Sequence, residues 1–80
     1  MSTVVYTKPN CPYCVQAKQL LTQKGVDYQE IGIGTDVTRE EFMGMFPTQK
    51  TVPLIIMEGM KIPGFKELRE HFEAAASLQP

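Results

Sequence analysis

The chain has 80 residues, of which 42% are hydrophobic and 21% are charged. This length predicts a single domain over residues 1–80, with a modest hydrophobic core. Eight basic and nine acidic side chains give a net charge of −1, which argues against nucleic acid or an anionic membrane as a partner. No stretch reaches the roughly 20 apolar residues of a membrane span, and the start of the chain lacks the pattern of a secretory signal. We therefore expect a cytosolic protein.

The chain opens with a pattern typical of a strand followed by a helix. Residues 3–7 are β-branched or aromatic and predict a buried strand. Asn10 is placed to cap the next helix, and Pro12 suits the first turn of that helix. The helix is expected to extend to about Gln23, with Gly25 placed to end it.

A second strand and a short helix are expected in the middle of the chain. Residues 27–31 predict the strand, and the glycines of residues 32–37 indicate a loop after it. Thr38 and Glu41 have the spacing of a capping box, in which each side chain satisfies a free backbone N–H of the other residue. A helix therefore begins there and is expected to extend to about Phe46.

The remaining elements are a hairpin and a final helix. Residues 54–57 and 60–62 predict two strands joined by a tight turn at Glu58-Gly59. Apolar residues at helical spacing predict a helix from Phe65 to about Ala76. A right-handed crossover makes the first two strands parallel, whereas the hairpin adds antiparallel strands. The pattern predicts the α/β class, with a mixed four-stranded sheet flanked by three helices.

The two cysteines, Cys11 and Cys14, lie at the junction between the first strand and the first helix. The N-terminus of a helix has free N–H groups and partial positive charge, which lower the pKa of a thiol there to about 3.5–7.5. Lys8 adds to this effect. The three-residue spacing puts Cys14 beside Cys11. We therefore predict that Cys11 is an exposed nucleophile and that Cys14 is a more buried thiol that resolves a mixed disulfide formed at Cys11.

Two other functions of this cysteine pair are weaker hypotheses. A structural zinc site needs four ligands, and His71 is the only histidine, so that zinc would have to bridge two chains. No metal is therefore expected. A purely structural disulfide would close too short a loop to constrain the unfolded chain much, and the cytosol would reduce it.

The sequence resembles the glutaredoxin family at three places in the correct order. Residues 8–14, K-P-N-C-P-Y-C, match the family signature K-P-x-C-P-Y-C, and residues 51–53 match its T-V-P element. Residues 62–68, I-P-G-F-K-E-L, are similar to its I-G-G-F-x-D-L element. The resemblance implies a thioredoxin-like fold and reduction of protein disulfides and protein–glutathione mixed disulfides, with glutathione as co-substrate. It also implies a monomer whose partners are disulfide-containing or glutathionylated proteins, ribonucleotide reductase among them.

The resemblance also implies a glutathione site. In it the Val52 backbone pairs with the cysteinyl part of glutathione, and Lys8 contacts the glycine carboxylate. The N–H groups of Phe65 and Lys66 hold the γ-glutamyl carboxylate, and Glu67 lies near the γ-glutamyl ammonium. The full set of predicted binding residues is Lys8, Tyr13, Lys50, Thr51, Val52, Pro53, Gly64, Phe65, Lys66 and Glu67.

Several members of this set have a specific expectation. The resemblance implies that Pro53 follows a cis peptide bond, and Lys50 is expected to add a second positive charge. We assign Tyr13 to the substrate groove because a residue at a helix start is exposed and aromatic residues favour interfaces.

Two departures from the family pattern weaken the expected affinity for glutathione. Pro63 stands where the family has the first glycine of a pair, and it restricts the backbone there. Glu40 and Glu41 lie on the middle helix, where many relatives place a neutral polar residue near the glycine carboxylate. An acidic side chain at that point would repel this carboxylate.

Two rival functions use the same cysteines. The first is a glutaredoxin-like donor that thioredoxin reductase, rather than glutathione, reduces. The second is an iron–sulfur carrier that binds a cluster between two chains through Cys11 and glutathione. Pro12 argues against the carrier, because relatives that hold clusters usually have a small residue there.

Overall fold

The computed structural model describes residues 3–77, with side chains described for residues 3–74. None of the helices in residues 3–77 is long and apolar enough to cross a membrane. The elements, in chain order, are β1 (Thr3–Thr7), α1 (Pro12–Gln23), β2 (Gln29–Gly32), α2 (Arg39–Met45), β3 (Leu54–Met57), β4 (Met60–Ile62) and α3 (Phe65–Ser77).

The four strands form one mixed sheet in the order β2-β1-β3-β4. β1 pairs in parallel with β2 and antiparallel with β3, and β3 pairs antiparallel with β4. The parallel pair is connected through α1, which is the crossover that parallel strands require. The predicted mixed sheet with three helices is confirmed.

β1 lies inside the sheet, and its side chains alternate between two apolar clusters. Val5 is fully buried on the face covered by α1 and α3, where it meets Leu21 and Leu68. Tyr6 points to the other face and packs with Phe42 of α2. The sheet is therefore covered on both faces, which explains why β1 is apolar along its length rather than alternately polar.

Two short motifs form as predicted. Thr38 Oγ1 accepts the Glu41 N–H at 3.0 Å, and Glu41 Oε1 accepts the Thr38 N–H at 2.7 Å, which completes the capping box. Glu58 and Gly59 have φ values of +52° and +81°, the conformation that tight hairpin turns favour.

Two predicted boundaries are wrong by a small margin, for identifiable reasons. β2 starts at Gln29 rather than residue 27 and ends at Gly32, because its ladder is limited by the length of β1, which pairs from Val4 to Thr7. Asn10 does not cap α1. It has φ +58° and forms a turn, and the extended residue Cys11 is the N-cap.

Replacing Leu68 with alanine tests the packing of α3 on the sheet. Leu68 is fully buried among residues of β1, β3 and α1. The substitution removes apolar contacts and leaves a cavity, so we expect it to lower the free energy of unfolding by about 2–5 kcal/mol. Urea denaturation measures this change. Glu70→Ala, an exposed position of the same helix, should change stability by less than about 0.5 kcal/mol; equal effects of the two variants would contradict this packing.

Candidate active site

Cys11 and Cys14 lie at the start of α1 and differ in exposure. Cys11 is partly exposed, whereas only 2% of Cys14 is exposed. Their Cα atoms are 5.3 Å apart and the two sulfur atoms are joined in a disulfide. The exposed first cysteine and the buried second one are the arrangement predicted for a nucleophile and a resolving thiol.

The backbone at the start of α1 points a hydrogen-bond donor at the sulfur of Cys11. The N–H of Cys14 donates to Cys11 Sγ at 3.2 Å, and the first turn of α1 contains no acidic residue. A hydrogen bond to a thiolate and the positive end of a helix both favour the ionised sulfur. This arrangement suits Cys11, rather than Cys14, to be the attacking sulfur in the reduced protein.

The T-V-P segment lies against the same sulfur, although it is 41 residues further along the chain. The carbonyl oxygen of Val52 is 3.9 Å from Cys11 Sγ. The Val52–Pro53 peptide bond is cis, as the resemblance implies, and Pro53 is fully buried. Val52 therefore presents a backbone group next to the reacting sulfur.

A groove of about 450 Å³ runs from this segment toward α2. Its lining includes three basic residues, Lys8, Arg39 and Lys50, and no acidic residue; we call it the cationic groove. None of the three is in an ion pair with another residue of the described part of the chain. The groove suits a ligand that carries carboxylates.

Glu40 and Glu41, which were expected near the glycine carboxylate, do not line the cationic groove. Among the described residues, α2 lines the cationic groove with Arg39, Phe42 and Met43. Glu41 is turned back onto the backbone of Thr38 in the capping box. Arg39 was not among the residues predicted from the sequence. Its spacing of three and four residues from Phe42 and Met43 is the signal that places all three on one helix face.

The predicted residues at the start of α3 lie beside Tyr13. The rings of Tyr13 and Phe65 stack with centroids 6.3 Å apart, and 61% of Tyr13 remains exposed. A Cβ atom at Gly64 would lie 2.7 Å from Glu67 Oε1, so the Glu67 carboxylate folds back over the start of the helix. The cationic groove is not lined by the predicted residues of this segment, and neither is a second groove that both cysteines line; these residues are Gly64, Phe65, Lys66 and Glu67.

Gln49 is a second residue of the site that the sequence did not reveal. It is 8% exposed and lines the cationic groove. Its side-chain amide donates to the carbonyl oxygens of Thr51 and Pro63, at 2.7 and 3.0 Å. A glutamine in a loop gives no local signal of this kind, because both acceptors are placed by tertiary structure.

A larger groove of about 840 Å³ is lined by both Cys11 and Cys14. Cys14, Lys18, Glu30 and Thr7 are among the residues that line it. The Thr7 hydroxyl donates to Glu30 Oε2 at 2.7 Å, and Lys18 Nζ donates to the same oxygen at 3.0 Å. These two hydrogen bonds, together with the Lys18 charge, hold the pKa of Glu30 below its ordinary range.

The fold and the cysteine pair together define a thioredoxin-like dithiol protein. Residues 3–62 match the model of the Glutaredoxin family. The chain is 38% identical to Glutaredoxin 3 of Escherichia coli (strain K12) over 76 residues, which cover 95% of this chain and 90% of that protein. The chain belongs to the glutaredoxin family, which comprises thiol–disulfide oxidoreductases.

Two further proteins that resemble this chain are a larger protein and a protein crystallised with a ligand. The chain is 38% identical over 71 residues to the hybrid peroxiredoxin hyPrx5 of Haemophilus influenzae. These residues cover 89% of this chain but only 29% of that protein. The crystal structure of a buckwheat glutaredoxin–glutathione complex matches with a TM-score of 0.76 at 28% identity, over 91% of this chain and 69% of that chain.

Alkylation at different pH values tests the activation of Cys11. In the reduced Cys14→Ser variant, we expect half of the maximal rate of reaction with iodoacetamide below about pH 7.5, because the helix start and the residue-14 N–H stabilise the thiolate. Free glutathione, whose thiol has no such environment, is the control. A midpoint near pH 8.5, the usual value for free cysteine, would contradict the assigned role of the helix start.

Glu30→Gln tests the ion pair beside Cys14. Because the folded-state pKa of Glu30 is lowered, the ionised carboxylate stabilises the fold above its unfolded pKa, and this stabilisation is lost as the pH falls through the folded pKa. The side chain is 42% exposed, so we expect a loss of at most about 1 kcal/mol at pH 7. Urea denaturation should show no difference from wild type near pH 2.5. Glu70→Gln is the exposed control; a Glu30→Gln effect that is the same at both pH values would refute the ionic origin.

Proposed function

We propose that this protein is a glutathione-dependent thiol–disulfide oxidoreductase that reduces protein disulfides and protein–glutathione mixed disulfides. The observation that carries the proposal is the position of Cys11 Sγ. It accepts a helix N-terminal N–H on one side and lies 3.9 Å from the Val52 carbonyl on the other. An activated sulfur thus adjoins backbone groups that are suited to pairing with a short peptide.

The cationic groove supports glutathione as the co-substrate. Glutathione carries two carboxylates, and Lys8, Arg39 and Lys50 offer positive charge without an acidic neighbour in the groove lining. Arg39 lines this groove and neither Glu40 nor Glu41 does, so the charge of the groove favours a carboxylate rather than opposing it. The similarity to a glutaredoxin crystallised with glutathione is consistent with this ligand.

The reaction begins when the Cys11 thiolate attacks the glutathionyl sulfur of a mixed disulfide. A new disulfide forms between Cys11 and glutathione, and the substrate cysteine leaves as a thiolate that takes up a proton. A second glutathione thiolate then attacks this intermediate, forms glutathione disulfide and regenerates the Cys11 thiolate. The overall change converts one protein–glutathione mixed disulfide and one glutathione thiol into a protein thiol and glutathione disulfide.

Cys14 is used when the substrate is a protein disulfide. Attack by Cys11 leaves the two proteins joined, and the Cys14 thiolate displaces the substrate to form the Cys11–Cys14 disulfide that the structure contains. Two glutathione molecules reduce this disulfide and are oxidised in turn. Ribonucleotide reductase as the substrate, the monomeric state and the cytosolic location remain predictions.

Reduction of a glutathionylated peptide tests these roles. With glutathione and glutathione reductase supplying electrons, Cys14→Ser should retain the activity, because a second glutathione can resolve the intermediate. Cys11→Ser should lose it by a factor of at least about 10³, because no other thiol is activated. Coupled oxidation of NADPH measures both rates. Activity that survives in Cys11→Ser and disappears in Cys14→Ser would reverse the assignment.

The same preparation separates the proposal from its rivals. Turnover with thioredoxin reductase that exceeds turnover with glutathione would favour the first rival. An anaerobically purified protein that is coloured, with a dimer held by Cys11 and glutathione, would favour the iron–sulfur carrier.

A further inference from the structure

The glutathione site predicted from the sequence has two halves, which belong to separate parts of the chain. Thr51 and Val52 precede β3, whereas Phe65 and Lys66 begin α3, after β4. β3 and β4 are paired antiparallel, and the ladder ends with Ile55 opposite Ile62. Continuing this register places Val52 level with Phe65. The two halves therefore emerge at the same end of the hairpin but beyond its last paired residues.

The β3–β4 ladder does not extend to the two halves. Pro63 follows the last paired residue of β4 and has no N–H to donate, and Pro53 lacks one for the same reason. A different donor is needed to fix the spacing between these segments, because two unlinked loops would vary in separation.

Gln49 supplies that donor from a third segment. Its side-chain NH₂ group has two hydrogens, and one donates to Thr51 O at 2.7 Å while the other donates to Pro63 O at 3.0 Å. The Gln49 backbone is itself held, since its N–H donates to the Phe46 carbonyl at 3.0 Å at the end of α2. Only 8% of the residue is exposed, so water competes little for these bonds.

We propose that Gln49 is a positioning residue that fixes the distance between the Val52 backbone and the N-terminus of α3. A ligand that spans the site must meet both at once, so this distance sets how well glutathione binds across them. The inference rests on the proposed function for its ligand. Its structural part, the link between the two segments, does not depend on glutathione.

Gln49→Met removes both donors and keeps a side chain of similar length. We expect KM for a glutathionylated peptide to rise about tenfold with kcat changed less than twofold, since the loss affects binding rather than the reacting sulfur. The pH midpoint of Cys11 alkylation should stay unchanged. Gln23→Met, an exposed glutamine of α1, is the matched control and should leave KM unchanged. A KM in Gln49→Met equal to that of wild type would overturn the proposal. A loss of turnover that a shift of the alkylation midpoint accounts for in full would also overturn it.

Amide hydrogen exchange measured by NMR without glutathione decides the structural part. The N–H group of Leu68, which donates to the Gly64 carbonyl at the start of α3, should exchange at least about tenfold faster in Gln49→Met than in wild type or Gln23→Met. Unchanged exchange at this amide would overturn the proposal, whatever glutathione does. If the wild-type protein does not reduce the glutathionylated peptide faster than a small disulfide, the proposed function alone is overturned. The exchange data still test the link between the two segments in that case. If Gln49→Met folds poorly, Gln49→Glu, which also lacks both donors at neutral pH, is judged by the same measurements.

Discussion

The chemistry of the site depends on one hydrogen bond, from the Cys14 N–H to the sulfur of Cys11. A donor in this position exists only because α1 begins at Pro12, directly after an extended Cys11. The left-handed turn at Asn10 directs the chain from the end of β1 into this helix start. The start of a helix suits anions in general because its free N–H groups point at the bound negative charge. An anionic sulfur at Cys11 is one case of this rule.

The order of the strands explains how distant residues reach this sulfur. Because β3 is antiparallel to β1, with Tyr6 opposite Leu54, the residues before Leu54 lie level with those after Tyr6. The parallel partner β2 brings Gly32 opposite Thr7 on the other side. One end of the sheet therefore gathers three chain segments around the start of α1. This placement is a consequence of topology and needs no long loop.

Sequence reasoning was most successful where the determinants are local. The strand of β-branched residues, the capping box of Thr38 and Glu41 and the hairpin turn at Glu58 each depend on neighbours within a few positions, and all three form. The left-handed backbone of Asn10 was missed, because asparagine suits both a helix cap and this conformation. Gln49 could not be found, since its acceptors belong to residues that only the folded sheet brings near.

The burial of Cys14 imposes an order of events on the two thiols. With 2% of its surface open to solvent, this sulfur is shielded from bulky reagents that arrive by diffusion. Its accessible target is a disulfide already tethered to Cys11, where the attack is intramolecular and gains from a high effective concentration. The two steps are thereby divided between the cysteines: Cys11 forms the covalent complex with the substrate, and Cys14 limits the lifetime of that complex.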